Sequence, residues 1–338
     1  MDSLTQIVLG AAVGEAVAGK KMGNKAALWG AIAGTIPDLD VFVRAFAEPI
    51  EGALLHRGFS HSIVFALIAS PILGYLIHRL YKKRYEYKTW MWLFFGSIIT
   101  HPMLDIFTSY GTQFFWPFEL RWTFNSVFVV DPLYTIPFGL LLLVALFLKR
   151  ESRWRRKLNY TGIIYSSLYL IWGVIVKLSI HNKSDQYFES AGLQVGNTIV
   201  TPMPFTSFYW MMLTESDSSY YVGYKSIFYD FNPNEIEIIP KNHEQLDKLQ
   251  WKGKNYGNTL KFLTNGYYST ELHKDTLFVY DLRFGTPTQF TEGKISTPLF
   301  SYGMVIDNGT VDKTFQISKS DMWKHVNFGA YVNKIFDP

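Results

Sequence analysis

The 338-residue sequence contains no cysteine. That excludes a disulfide framework and thiolate metal ligation, so any metal would have to be held by His, Asp, Glu, Asn or Gln. Charge is scarce too. Only 18% of residues are charged and the net charge is +4, which is no electrostatic footprint for nucleic acid. A basic n-region is also missing, since Asp2 follows Met1, so the first apolar stretch does not read as a signal peptide. What abounds is apolar and aromatic: 48% of residues are hydrophobic and 17% aromatic, too many for an ordinary soluble chain of this length. Mean hydropathy is nevertheless only +0.05, so the apolar residues must be unevenly spread. The long apolar runs lie within residues 1–180, and the fold class this predicts is a membrane α-helical bundle followed by a β-rich (α+β) domain over residues 181–338.

About six spans are predicted: Leu4 to Ala18, Ala26 to Ile36, Ser62 to Leu80, Thr89 to Phe107, Leu133 to Leu148 and Gly162 to Ile180. The first two are short and carry small-xxx-small pairs, Gly10/Gly14 and Gly30/Gly34, a spacing that lets helix backbones approach closely. Basic residues then orient the bundle. Lys20, Lys21 and Lys25, then Arg79, Lys82, Lys83, Arg84 and Lys88, then Lys149, Arg150, Arg153, Arg155, Arg156 and Lys157 fill three alternate loops, which the positive-inside rule makes cytoplasmic. The intervening loops, 41–61 and 108–131, carry only Arg44, Arg57 and Arg121, balanced by acids, and face outward with everything after the sixth span.

The residues able to do chemistry all fall on that outer side. His101 and Asp105 are spaced i,i+4, so on a helix they share one face and can grip one ion; the alternative is a His–Asp hydrogen bond that only satisfies the bundle. Pro102 loosens the helix between them. Asp38 and Asp40 follow Pro37: in an extended chain both carboxylates point one way and could bridge two ions, whereas in a helix they diverge, and Asp40 could instead cap a helix. His56 and His61 flank Gly58, which argues for a turn aiming both imidazoles at one point, with Ser60 or Ser62 as the following N-cap. Arg57 is the candidate clamp for an anionic group, with a salt bridge to Glu51 as the alternative. Asp131 before Pro132 reads as a helix cap, and Glu15 as either a buried link between helices or part of the site. Asp38, Asp40, His56, His61, His101 and Asp105 together form a sulfur-free ligand set suited to one or two divalent ions such as zinc, and activation of water against an ester is the chemistry such a set supports.

The stretches MDSLTQIVLGAAVGEA, GTIPDLDVF, LLHRGFSHS, ITHPMLD, TSYGTQ and VVDPLYT resemble the YdjM-type family of membrane-bound, metal-dependent hydrolases over roughly residues 1–180. The resemblance implies a multi-pass protein of the inner (plasma) membrane with a divalent metal site. It also implies a distant likeness to zinc-dependent phospholipases C and single-strand nucleases, which share a His-x-x-x-Asp ligand pair. By position Asp38, Asp40, His56, His61, His101 and Asp105 match the family motif. Many relatives have a histidine where this chain has Gln6, a poorer ligand, which weighs against a full two-metal centre.

Residues 181–338 alternate aromatic and polar positions, as strands do; Asn308-Gly309 marks a hairpin, and short helices are predicted near 243–249 and 256–264. The expectation is a hydrolase acting at the outer leaflet on an ester, a phosphoester of a membrane lipid or envelope molecule. The competing expectation is a transporter or a scaffold whose outer domain binds a partner, although a transporter places its polar groups near the bilayer midplane rather than at one face. The orientation is checked with single cysteines. Ser152→Cys and Ser218→Cys should react with an impermeant thiol reagent from opposite sides of the membrane, and labelling of both from one side overturns the arrangement.

Overall fold

Glycine decides how the first two helices meet. Helix α1 (Ser3–Met22) and helix α2 (Asn24–Thr35) are separated by Gly23, whose φ of +60° suits a residue without a side chain. A Cβ added at Gly10 would stand 2.4 Å from the Gly30 carbonyl oxygen, and one at Gly14 2.4 Å from that of Ala26. Backbone presses on backbone, so the small-xxx-small pairs of the sequence are indeed a packing device.

The structure, a computed structural model, describes residues 1–44, 46–289, 298, 300–317 and 326–336. After α2 come a 3-10 turn (Pro37–Leu39) and two short helices, α3 (Asp40–Arg44) and α4 (Pro49–Leu55). Four longer helices follow: α5 (Ile63–Leu80), α6 (Tyr87–Asp105), α7 (Pro132–Phe147) and α8 (Arg153–Ser190). Each of the six apolar stretches is therefore helical. Among the described residues, length and composition make three helices able to cross a membrane, Asn24–Val43, Ile63–Leu80 and Arg153–Ser190, and Pro132–Phe147 is a shorter apolar helix. Leu67, Ile68, Ile72 and Leu76 of α5 are exposed, the outward apolar face expected of a lipid-facing helix.

The chain divides into two compact units. The first comprises residues 1–43, 55–175 and 204–206. Its core joins Trp90, Leu93, Phe94 and Ile98 of α6 to Ala26 and Ala33 of α2, and Tyr134 and Phe138 of α7 to Leu9 and Ala12 of α1. Glu15 resolves as a link between helices: its carboxylate takes two hydrogen bonds from Arg155 of α8, at 2.6 and 2.7 Å, with both side chains buried. Arg155 Nη1 also donates to Asn24 Oδ1 and the Leu148 carbonyl, so four of its five N–H groups are occupied.

The second unit is β-rich, as the alternating pattern predicted. Strands β1 (Thr198–Pro202), β2 (Tyr209–Glu215), β3 (Ser219–Ser226) and β4 (Glu237–Pro240) form an antiparallel sheet in sequence order. A second sheet, ordered β5-β9-β8-β7-β6, contains β5 (Gln250–Trp251), β6 (Tyr268–His273), β7 (Thr276–Asp281), β8 (Phe300–Asp307) and β9 (Thr310–Gln316). Asn308 (φ +48°) and Gly309 (φ +79°) turn β8 into β9, and the two expected short helices are α9 (Glu244–Asp247) and α10 (Gly257–Leu263). Helix α11 (Phe328–Phe336) closes the described chain. The unit does not begin at residue 181. It takes in residues 176–203 and, from far upstream, residues 44–54. Ile50 and Ala53 of α4 sit in one core with Leu260, Leu277, Val279 and Met304, and Glu51 pairs with Lys254 at 2.6 Å rather than with Arg57.

The glycine contact makes a measurable claim. Gly30→Val puts a branched side chain where a Cβ would already lie 2.3 Å from the Gly10 carbonyl oxygen, which no rotamer can relieve. The variant should lose about 1–3 kcal/mol or more, read as a lower thermal midpoint in detergent, whereas an unchanged midpoint overturns the close contact.

Candidate metal centre

Local structure brings four segments together. Pro37 starts the 3-10 turn that ends α2, and the chain stays helical into α3, which sets Asp38 against Nε2 of His61 and Asp40 against its Nδ1. Arg57 adopts φ +64°, a left-handed conformation that reverses the chain before the 3-10 turn Phe59–His61. Ser62, rather than Ser60, caps α5 by accepting the Phe65 N–H at 3.0 Å. His101 and Asp105 lie one turn apart at the end of α6, on the same face.

Four of the six expected ligands converge. His61 Nε2 and His101 Nε2 are 3.2 Å apart, and each lies 3.4 Å from Asp38 Oδ1 and 3.6 Å from Asp105 Oδ2. The hydrogens on these rings are fixed by their other nitrogens. His101 Nδ1 is 2.5 Å from the Gly34 carbonyl oxygen, which can only accept, so Nδ1 carries the hydrogen and Nε2 keeps its lone pair. Ser60 Oγ donates to Asp40 Oδ2 at 2.9 Å, so His61 Nδ1 must be the donor to the serine oxygen at 3.0 Å, and its Nε2 also keeps a lone pair. With both rings neutral, the lone pairs of the two Nε2 atoms thus face Asp38 Oδ1, and each also lies 3.6 Å from Asp105 Oδ2. Asp105 Oδ2 is buried and accepts no hydrogen bond.

Such a set demands a cation. His61 records the demand: burial disfavours its charged form, yet Asp38, Asp40 and Asp105 outweigh burial and raise its pKa. The dimensions fit a metal ion equally well. Asp38 Oδ1, His61 Nε2 and His101 Nε2 stand 3.2–3.4 Å apart, the spacing of three ligand atoms around an ion with bonds of about 2.0–2.2 Å. Asp38, His61 and His101 alone form a group able to hold an ion. Asp38 is 26% exposed while the other three side chains are 1% or less, so solvent reaches the cluster from the Asp38 side.

Asp40 and His56 stand behind this cluster. Asp40 Oδ1 lies 2.8 Å from His56 Nδ1, and its Oδ2 faces His61 Nδ1 at 3.3 Å and accepts the Arg57 N–H at 3.1 Å. A carboxylate placed so behind an imidazole fixes its tautomer and would raise its basicity toward an ion held at the other nitrogen. Burial keeps the His56 imidazole below its ordinary pKa, with neighbouring Arg57 adding to the effect.

Arg57 turns inward. Its Nη1 donates to Thr108 Oγ1 at 3.1 Å and its Nε lies 3.3 Å from Asp105 Oδ2. Gln6 donates to Asp105 Oδ1 at 3.1 Å, and the α-amino group of Met1 pairs with the same oxygen. Asp131 does cap α7, accepting from the backbone of Leu133 and Tyr134, and also accepts the Tyr169 hydroxyl. Sequence reasoning quoted TSYGTQ without assigning its work. In the structure Gly111 turns at φ +69°, where a Cβ would stand 2.7 Å from the Trp122 carbonyl oxygen. The motif then folds back on the histidine turn: Gln113 N–H donates to the Arg57 carbonyl, and Thr112 Oγ1 to that of His61. Arg121, counted only as a charge, donates from Nη2 to the His56 carbonyl at 3.0 Å, and its guanidinium and that of Arg57 each lie 4.9 Å from the Tyr110 ring centroid.

Apolar helices with a buried His/Asp cluster at their end define an integral membrane protein with a site able to hold a metal ion through nitrogen and oxygen. More specifically, the chain belongs to the YdjM inner membrane protein family, whose sequence profile matches residues 1–180. It is similar to the uncharacterized protein YfhP of Bacillus subtilis (strain 168), 27% identical over 238 residues that cover 66% of this chain and 68% of that one. It is also similar to the inner membrane protein YbcI of Escherichia coli (strain K12), 32% identical over 118 residues, 32% of this chain and 67% of that one. No solved structure matches. The family and the apolar helices support an inner-membrane location.

Metal content per folded chain tests the cluster. His101→Ala should lose the ion, Asp40→Asn should weaken binding by about 10–100-fold through His61, and Asp131→Asn should keep it. Unchanged metal content in His101→Ala overturns the site.

Proposed function

We propose that the chain is a membrane-bound, metal-dependent hydrolase of anionic esters, in particular phosphoesters of a lipid or envelope molecule. The observation that carries this reading is the three-atom group of Asp38, His61 and His101 at 3.2–3.4 Å, with Asp38 partly exposed to solvent. Zinc or a similar divalent ion held there would supply a Lewis acid and a water of lowered pKa. His61, His101 and Asp38 are its holders, with Asp105 completing the set from the buried side. Asp40 orients His61, and the Gly34 carbonyl orients His101. Arg57 fixes Asp105 and, with Arg121, sets positive charge at the same end of the cluster, which biases the site toward an anionic substrate. A single ion accounts for the converging atoms, and Gln6 serves as a hydrogen-bond donor to Asp105.

The reading is tested by turnover of a water-soluble phosphodiester, bis(p-nitrophenyl) phosphate, with purified protein in detergent. Chelation should abolish hydrolysis and zinc should restore it, while His101→Ala should fall about 100-fold or more. Hydrolysis that survives both chelation and His101→Ala overturns the proposal.

A further inference from the structure

The connector between α6 and α7 carries an apolar run that is exposed among the described residues. Phe115, Trp116, Phe118, Leu120, Trp122 and Phe124 are all exposed, Phe118 at 72%. Residues 115–120 are exposed without interruption, and their one charge is Glu119. A contiguous outward patch of this kind marks an interaction surface.

Its position in the chain names the occupant. Phe114 accepts, through its carbonyl oxygen, the N–H of Ile63, the first residue of α5, so the run starts level with the end of that helix. The exposed Leu67, Ile68 and Ile72 of α5 continue the apolar surface from there. Tryptophan and phenylalanine at the mouth of a spanning helix are the residues that settle at the boundary between headgroups and acyl chains. The same connector is rigidly joined to the site. Trp116 packs on Phe59 with centroids 5.0 Å apart, Gln113 binds the Arg57 backbone, and Arg121 binds that of His56.

We propose that residues 114–124 form an aromatic platform seated in the headgroup layer of the bilayer, which holds the metal centre at lipid level and makes a bilayer-resident phosphoester its substrate. The substrate class rests on the hydrolase reading above; the seat in the membrane does not. The side chains that do this are Phe115, Trp116, Phe118, Leu120 and Trp122. None of them touches the ligand cluster in a hydrogen bond or ion pair.

The cysteine-free chain permits a direct test. Phe118→Cys, Leu120→Cys and, as an aqueous reference, Ser218→Cys are spin-labelled in the full chain and reconstituted in vesicles of phosphatidylethanolamine and phosphatidylglycerol. Labels at 118 and 120 should be relaxed more by oxygen than by a water-soluble nickel chelate, the reverse of the label at 218. Equal access of the nickel chelate to all three overturns the platform, whatever the protein hydrolyses. For the substrate class, Phe118→Ser combined with Leu120→Ser should lower hydrolysis of vesicle phospholipid about tenfold and leave bis(p-nitrophenyl) phosphate turnover unchanged. An equal fall on both substrates overturns the lipid assignment. A parent protein that hydrolyses neither substrate removes the hydrolase reading and with it the substrate class, while the label depths still decide the platform.

Discussion

Atoms that carry only lone pairs repel when pressed together, and two imidazole nitrogens 3.2 Å apart, each within 3.6 Å of two carboxylate oxygens, are held so most favourably around a positive charge. Much of the first unit serves that proximity. The glycine crossing lets α1 and α2 approach until Gly34 lies against the backbone of Gly10 and Gln6, and the Gly34 carbonyl then takes the Nδ1 hydrogen of His101. Arg57 and Gln6 hold Asp105 from two sides. The rings and carboxylates are aimed before any ion arrives, which lowers the reorganisation that binding would require.

Part of this was legible in the sequence. A helical period of 3.6 residues puts His101 and Asp105 on one face wherever that helix packs, and Asp131 before Pro132 follows from the rules for starting a helix. The Asn308-Gly309 turn needs two positive φ angles, and few other pairs supply them. Other roles depend on partners far away in the chain. Nothing near Glu15 announces Arg155, 140 residues later. Asp38 and Asp40 look alike in the sequence, and only the fold sets them against opposite ring nitrogens of His61. Arg57 has the chemistry of an anion clamp, and its left-handed backbone and buried neighbours turn it into a brace for Asp105. Spacing reports which residues share an element; it is silent on what that element meets.

Membership in the YdjM family covers the membrane part and leaves the β-rich unit as an addition with its own packing. YbcI, whose 118 matched residues already make up 67% of its length, is too short to carry a second unit of this size. The His/Asp cluster therefore lies within the residues the family profile matches, while the similarity to YfhP, over 238 residues, is longer than that 180-residue part.

The β-rich unit is not contiguous in the chain, since it takes in residues 44–54. The segment joining Asp40 to His56 passes through α4, whose Ile50 and Ala53 are buried among β-strands of the second unit. A stretch of chain between Asp40 and His56 is thus spent on the core of the other unit, so that no single cut of the chain separates the two units.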